Sequence, residues 1–375
     1  MAGWEEDPKG EWVIVNGCVV TSQAERKTRK LIYRGLKEGK KVILTGCASR
    51  YGMGIPVFCE IPEKEEVVKF LTGSMPIKDY LSSFSNHTRA WVKVQEGCLG
   101  NCSYCVIPRV RGKFHSRDKE SILEEVRVLS PKYRELVITG THLGLYGKER
   151  GEKLSSLLQE ILKVSLNSRI RLSSLEITEI DEDLLSLFHH PRLCPHLHIP
   201  LQSGDNRILR LMHRPYTAEE FLKKCEFIKK KIPRIAFTTD IMVGFPSEDE
   251  EAFQKTLRMI EEIGFLRVHV FPFSPRKGTE AINLSPQLDR KTILERAEIA
   301  RQASRKVSLA VRKKSLGKLK EVLIEKVQGN RYFGYSEDYI WTGVEGKDLK
   351  LGHIYKVVIT KVSEDNTIGE VIKNE

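Results

Sequence analysis

Ala90-Trp-Val-Lys-Val-Gln-Glu-Gly-Cys-Leu-Gly-Asn-Cys-Ser-Tyr-Cys105 joins an apolar strand to a loop bearing Cys98, Cys102 and Cys105. The Cys-x3-Cys-x2-Cys spacing places three thiolates in one short loop and supplies no fourth. Thiolates are soft ligands that suit iron–sulfur clusters. A cube of four irons held by three thiolates keeps one iron open to a small molecule, as catalysis requires. A structural zinc site instead takes two separated Cys-x2–4-Cys pairs. No second pair stands near this loop.

Around this loop, strand-like and helix-like runs alternate. The strands are Ala90 to Val94, Glu135 to Thr139, Arg169 to Glu176, His196 to Leu201, Ile235 to Val243 and Arg267 to Phe273. Between them lie helical patterns at Ser121 to Leu129, Leu154 to Val164, Asp181 to Phe188, Ala218 to Lys231 and Glu248 to Ile263. A further helix runs from Asp289 to about Val311. Repeated βα units predict a parallel sheet covered by helices. Six strands suit an incomplete (β/α)6 barrel, which carries its chemistry in loops at the C-terminal strand ends. The cysteine loop follows the first strand and so belongs to that rim. Thr139-Gly-Thr-His-Leu-Gly144, Pro200-Leu-Gln-Ser-Gly204 and Asp240-Ile-Met-Val-Gly-Phe-Pro246 follow other strands. Glycine in such loops lets a ligand approach the backbone. Ser247-Glu-Asp-Glu250 reads as a helix N-cap with an acidic first turn. His142, His196 and His198 are read as packing or substrate-bonding residues, because the thiolates already account for a metal.

The 375 residues leave room for one large domain and one or two small ones. No run of eighteen apolar residues predicts a membrane span. The acidic start, Met1-Ala-Gly-Trp-Glu-Glu-Asp-Pro8, is not a secretory leader. Eight cysteines, clustered as they are, point to metal rather than to a disulfide framework. A cytoplasmic location is expected. The net charge of +12 suits a polyanionic partner. Eleven Lys and Arg stand against Glu295 and Glu298 between Arg290 and Lys320, a local excess of +9. This run reads as a long helix ending in a linker near Ser315-Leu-Gly317, with Arg312, Lys313 and Lys314 placed for phosphate contacts.

The chain resembles the methylthiotransferases of the radical S-adenosylmethionine (SAM) superfamily over roughly residues 10 to 372. The matching stretches are Gln95-Glu-Gly-Cys98 with Cys102 and Cys105, Ile107-Pro108, Arg111-Gly112, Ser116-Arg117 and Leu136-Val-Ile-Thr-Gly140. They continue with Leu197-His-Ile-Pro-Leu-Gln-Ser-Gly204, Asp240-Ile-Met-Val-Gly-Phe-Pro246 and Phe271-Pro-Phe-Ser-Pro-Arg-Lys-Gly-Thr279. His269-Val-Phe-Pro-Phe-Ser, Arg276-Lys-Gly-Thr279 and Leu172-Ser-Ser-Leu-Glu-Ile177 look most like the branch that modifies threonylcarbamoyladenosine in tRNA. The resemblance implies a radical SAM domain over 85–311. It implies a SAM-binding 4Fe-4S cluster on Cys98, Cys102 and Cys105. It also implies SAM contacts from Tyr104, Gly140, Thr141, Glu176, Gln202 and Asp240.

Val13-Ile-Val-Asn-Gly-Cys18 and Val42-Ile-Leu-Thr-Gly-Cys47 are apolar strands, each ending in a cysteine. Two strands that deliver thiolates to one sheet edge can build a metal site. In the family these positions serve a second 4Fe-4S cluster with three cysteines. The family's first cysteine has no counterpart in this sequence. The resemblance therefore implies an N-terminally shortened α/β domain over 1–75 and an auxiliary cluster with Cys18 and Cys47 as its matched ligands. Cys59 is either a replacement ligand or a core-strand residue. Cys194 and Cys225 read as core cysteines.

Past Lys318 the period changes. Lys320 to Val327, Tyr332 to Ser336, Ile340 to Val344, Ile354 to Val362 and Thr367 to Ile372 read as five short strands of a small β-barrel. This segment, 315–375, resembles the RNA-binding TRAM domain that ends the family. Tyr335 and Trp341 either stack on splayed bases or fill the barrel core. The implied function is transfer of a methylthio group to C2 of N6-threonylcarbamoyladenosine next to the anticodon, through one-electron cleavage of SAM. Implied partners are the tRNA anticodon arm and a flavodoxin- or ferredoxin-type electron donor, with no membrane contact and a monomeric chain. The alternatives are an isopentenyladenosine tRNA or ribosomal-protein aspartate methylthiotransferase, and a non-catalytic RNA-binding homologue.

Overall fold

The computed structural model describes residues 10–74 and 80–372, which pack as two compact units. The acidic N-terminal octapeptide lies outside the described residues. The first unit takes the described part of 1–81 together with 96–114 and 274–282. Its parallel sheet consists of β1 (Trp12–Gly17), β2 (Lys41–Gly46) and β3 (Cys59–Glu60), with α1 (Ser22–Lys37), α2 (Cys47–Tyr51) and α3 (Lys64–Thr72) alongside. Thr28, Ile32 and Gly35 recur at helical spacing and give α1 its buried face. Thr21 caps that helix by accepting from the Ala24 N–H at 3.1 Å. The core of the unit joins Val13, Val15, Ile32, Val42 and Leu44 to Val106 and Val110, the latter on α4 (Ile107–Val110).

In the second unit β4 (Ala90–Glu96), edged by β5 (His115–Ser116), is followed by α5 (Lys119–Leu129), β6 (Glu135–Gly140), α6 (Leu154–Val164) and β7 (Arg169–Leu172). Then come α7 (Glu182–Ser186), β8 (His196–His198), α8 (Asn206–Leu211), α9 (Ala218–Lys231), β9 (Ala236–Val243), α10 (Glu250–Ile263), β10 (Arg267–Pro272) and α11 (Arg290–Lys313). The parallel order is β4-β6-β7 and β8-β9-β10, and isolated bridges at Ile170–Leu193 and Ser174–His198 link the two sets. The six expected strands are thus present. The third and fourth end earlier than expected, because Ser173 to Glu176 and Ile199 to Leu201 leave the ladder to form loops. The cap before α10 is Asp249, which accepts from the Ala252 N–H at 2.9 Å. Helix α8 is additional to the helical patterns of the sequence. Asp205 caps it with bonds from the Arg207 and Ile208 N–H groups at 3.0 and 3.1 Å.

Side chains along these strands alternate in character. Ala90, Val92, Val94, Leu136, Ile138, Ile170, Leu172, Leu197, Phe237 and Ile241 join the helix-covered core. The opposite face carries Glu135, Arg169, Arg171, His196, His198, Thr238, Asp240 and His269, in the period of two that a strand imposes.

The last five strands, β11 (Leu319–Gln328), β12 (Arg331–Tyr335), β13 (Trp341–Glu345), β14 (Ile354–Val362) and β15 (Thr367–Val371), close into a barrel in the order β11-β12-β13-β15-β14. Val322, Ile324, Val344, Val357 and Ile359 fill it. An ion cluster fastens this barrel to the N-terminal ends of the parallel strands. Glu135 accepts from Arg169 Nε at 2.6 Å and from Arg171 Nε at 2.8 Å. The same two guanidinium groups donate onward to barrel carbonyls: Arg169 to Glu321 at 2.6 Å and Tyr335 at 2.9 Å, Arg171 to Ser336 and Glu337 at 3.1 Å each. Arg89 bridges Glu135 at 3.6 Å to Glu325 at 3.1 Å. Burial alone would raise the Glu135 carboxyl, but Arg171, Arg169 and Arg89 hold it well below the usual carboxylate range.

Candidate active site

The cysteine loop is shaped by its own backbone. Gly97 has φ +74°, and a Cβ there would lie 2.7 Å from backbone atoms of Lys113 and Phe114, so only glycine fits. The Gly100 N–H donates to Cys98 Sγ at 3.2 Å, and the Cys105 N–H donates to Cys102 O at 3.0 Å. A Cβ on Gly100 would stand 3.2 Å from Cys98 Sγ and 4.0 Å from Cys102 Sγ, so both sulfurs flank one bare stretch of chain. Cys98, Cys102 and Cys105 are each partly exposed, and Tyr104 between the last two is half-buried. Among the described residues no three His, Cys, Asp or Glu side chains converge as a single metal ion would need. A 4Fe-4S cube takes one thiolate at each of three separate corners, so thiols spaced around one loop fit it.

Cys18 follows β1 and Cys47 follows β2. The parallel register sets Gly17 opposite Gly46, so both thiols leave the same sheet edge. Thr28 pins the Cys18 backbone, exchanging 3.1 Å bonds with both its N–H and its carbonyl. Burial pushes the Cys47 thiol up, the Arg111 guanidinium pulls it down, and neighbouring Cys18 raises it again. Arg111 is itself paired with Glu96 at 3.2 Å. These two thiols and their cationic neighbour suit the edge of an iron–sulfur cluster. Cys59 does not join them. It stands opposite Ile43, four residues short of Cys47, which is roughly 13 Å down the sheet. That register separates Cys59 from the pair, and the residue is itself only half-buried in β3. Cys194 and Cys225 are core residues, with burial pushing their thiols up to about 11 and about 12.

Arg276, in sequence one residue of the Arg276-Lys-Gly-Thr279 stretch, is a clamp on the Cys18 edge. It is 6 % exposed and donates to the Val19 carbonyl, one residue past Cys18, at 2.5 Å and to Glu25 at 2.7 Å. Its guanidinium lies 5.2 Å from the Tyr51 ring centroid. Arg276→Ala should cost about 1–3 kcal/mol of stability by removing the guanidinium that joins the Val19 carbonyl to Glu25, which keeps only its pair with Arg29 at 2.9 Å. It should also speed alkylation of Cys18 relative to Cys98, read by mass spectrometry after an iodoacetamide pulse. Equal labelling ratios in the variant and the parent would remove the clamp.

At the C-terminal ends of the parallel strands the loops are pinned to buried polar groups. Gln95 is fully buried, and its Oε1 accepts from the His142 N–H at 2.8 Å. A Cβ at Gly140 would meet that same oxygen at 3.0 Å, so the Gly140-Thr141 turn needs its glycine for close approach. Gln202 has φ +65°, a strained conformation for a residue with a Cβ. Backbone bonds hold it there, from Gln202 N–H to Asp240 O at 2.9 Å and from Met242 N–H to Gln202 O at 2.8 Å. Strain held by two such bonds is a mark of ligand sites. Glu176 is ion-paired to Arg214, and His142 lies 2.6 Å from Glu179. A polar chain runs up the open face: His196 Nε2 and His198 Nδ1 both meet Thr238 Oγ1 at 2.9 Å, and His198 Nε2 meets Asp240 at 3.2 Å. The histidines are therefore polar packing and hydrogen-bonding groups, as expected.

A profile of the radical SAM superfamily matches residues 92–260. The threonylcarbamoyladenosine tRNA methylthiotransferase MtaB of Thermotoga maritima is 34% identical over 395 residues, spanning 98% of this chain and 91% of that protein. The chain belongs to the radical SAM methylthiotransferase family. The protein of the same name from Chlamydia pneumoniae is 35% identical over 96% of this chain and 88% of its own length. The tRNA-2-methylthio-N(6)-dimethylallyladenosine synthase of Aquifex aeolicus is 34% identical over 85% of this chain and 71% of its own. SAM and 4Fe-4S clusters are the cofactors of this family.

In this methylthiotransferase the residues expected to meet RNA divide into two groups. Lys313 and Lys314 are exposed at the end of α11. Arg312 instead turns into the C-terminal barrel, donating to the Ser363 carbonyl at 3.0 Å, Thr367 Oγ1 at 3.1 Å and the Glu364 carbonyl at 2.6 Å. Its guanidinium fastens the β14–β15 turn and is a poor phosphate ligand. Tyr335 is covered on one face by Tyr339, with centroids 4.4 Å apart, while Trp341 leans on it at 4.7 Å. Tyr335 therefore packs, whereas Trp341 remains 39% exposed. Sequence could not sort these residues, because the neighbours that engage them come from distant segments.

Proposed function

We propose that this methylthiotransferase adds a methylthio group at C2 of N6-threonylcarbamoyladenosine in the anticodon arm of tRNA. The observation that carries this reading is the near end-to-end match to MtaB proteins. Cys98, Cys102 and Cys105 would hold the SAM-binding cluster, and Cys18 and Cys47 would serve the auxiliary one. Those groups supply the reductive cleavage of SAM and the sulfur chemistry when bound. The protein's own part is to bind, orient and dry the reactants. Gly140, Thr141, Gln202 and Asp240 would face SAM from the strand-end loops, with Glu176 oriented by Arg214, and Tyr104 would sit beside the thiolates. Residues 85–311 act as the radical SAM domain and 315–375 as a TRAM domain that grips the RNA. A flavodoxin or ferredoxin would deliver the electron to a monomeric, cytoplasmic enzyme.

The test is a nucleoside profile of total tRNA from a deletion strain. The 2-methylthio derivative of threonylcarbamoyladenosine should vanish, and the parent gene should restore it while a Cys18→Ala allele does not. Loss of the methylthio isopentenyl nucleoside instead would move the enzyme to the dimethylallyladenosine branch, to which it is also similar.

A further inference from the structure

The second unit carries a groove of about 660 Å3 at the sheet end away from the strand-end loops. Its floor is Leu266 to Val268, the start of β10. One wall is a single face of α11, where Arg301, Ser304, Arg305 and Ser308 recur at helical spacing. The facing wall is Tyr335, Tyr339 and Trp341 of the C-terminal barrel.

Three features of the groove point to one kind of ligand. The first is an aromatic series that starts buried and ends open. His196 stacks on Tyr339 at 4.4 Å, Tyr339 on Tyr335 at 4.4 Å, and Trp341, tilted against Tyr335 at 4.7 Å and stacked on Phe333 at 6.0 Å, closes the series 39% exposed. The second is an acceptor without a donor. Glu325 Oε2 pairs with Arg89 at 3.1 Å, while Oε1 is buried and accepts no hydrogen bond among the described residues. The third is weakly committed positive charge. Among the described residues Arg301 and Arg305 form ion pairs with Glu298 alone, at 3.5 and 2.9 Å, on an exposed surface where such pairs contribute little.

A stacking face, a buried acceptor for an exocyclic amine and guanidinium groups within one groove meet the needs of an unstacked ribonucleotide. Glu364 and Asp365 at the mouth offset part of the arginine charge. That balance favours a phosphodiester, with one charge per nucleotide, over a free nucleotide dianion. The position excludes the reacting base: from Arg267 to Pro272 the sheet rises roughly 17 Å toward the strand-end loops. We infer that this groove anchors a splayed nucleotide of the RNA substrate, about five stacked residues from the adenosine that is modified. The inference rests on the reading that the substrate is an RNA.

The experiment uses the full-length enzyme, a labelled anticodon stem-loop RNA bearing threonylcarbamoyladenosine, and equilibrium binding over a salt series. Trp341→Ala should weaken binding about 10-fold or more, and Trp341→Phe should recover most of that loss. Arg301→Ala with Arg305→Ala should flatten the log–log salt slope by about 0.7 for each phosphate contact removed. Thermal melts of each variant matching the parent exclude misfolding as the cause. Free adenosine and cytidine monophosphates at millimolar concentration should fail to displace the RNA. Parental affinity and slope in the variants would overturn the groove, as would displacement by free mononucleotides. Failure of the substrate reading looks different: the parent enzyme itself would then leave the stem-loop unmodified.

Discussion

Glu135→Ala should lower the unfolding free energy by about 3–5 kcal/mol, the cost of breaking a buried ion cluster by removing one partner. Glu135 is fully buried and takes hydrogen bonds from Arg169 and Arg171. Without it, two buried guanidinium groups face each other with no compensating charge. Those groups also hold the carbonyls of Glu321, Tyr335, Ser336 and Glu337. The variant should therefore release the C-terminal barrel first, seen as early proteolytic loss of a fragment from about residue 315. Urea unfolding gives the magnitude, and an unchanged midpoint would refute the assignment. The same cluster sets an acid limit. Glu135 has a folded pKa depressed from 4.5, so its contribution is present above that pH and is lost as pH falls below it. The urea midpoint of Glu135→Gln should fall less steeply than that of the parent as pH is lowered below 4.5.

Cys102→Ala should reduce formation of 5′-deoxyadenosine from SAM to background, while the thermal melt stays near that of the parent. The thiol is partly exposed on a loop, so little packing is lost, but a three-thiolate cluster loses one of its corners. Cys225→Ala is the contrast. That cysteine is buried in the core, and its loss should cost stability without abolishing SAM cleavage. The measurement is anaerobic iron content together with a timed assay of 5′-deoxyadenosine. Wild-type turnover by the Cys102 variant would remove the cluster from this loop.

Local pattern made much of this molecule legible. The six parallel strands, the helices Leu154–Val164 and Ala218–Lys231, and the five strands of the C-terminal barrel follow from apolar spacing and turn residues. The same spacing put three thiols in one loop and two more at one sheet edge. These are short-range properties, because hydrophobic period and ligand spacing are written along the chain. Partner choice is not written there. Sequence makes Arg312 one cation of a basic run, and only folding brings the β14–β15 turn against it to take its hydrogen bonds. Tyr335 and Trp341 are equivalent aromatics in sequence, separated in the fold by Tyr339, which covers one and leaves the other exposed. Cys59 lies close to Cys47 in the chain but is removed from it by the register of β3. Glu135, Arg169 and Arg171 read as ordinary strand residues, although charge at inward positions of buried parallel strands was a signal for a cluster. Sequence determined which elements form and which chemistry they carry. Tertiary structure decided which charges and rings are consumed in holding the fold, because a buried group must be satisfied by whatever neighbour packing delivers.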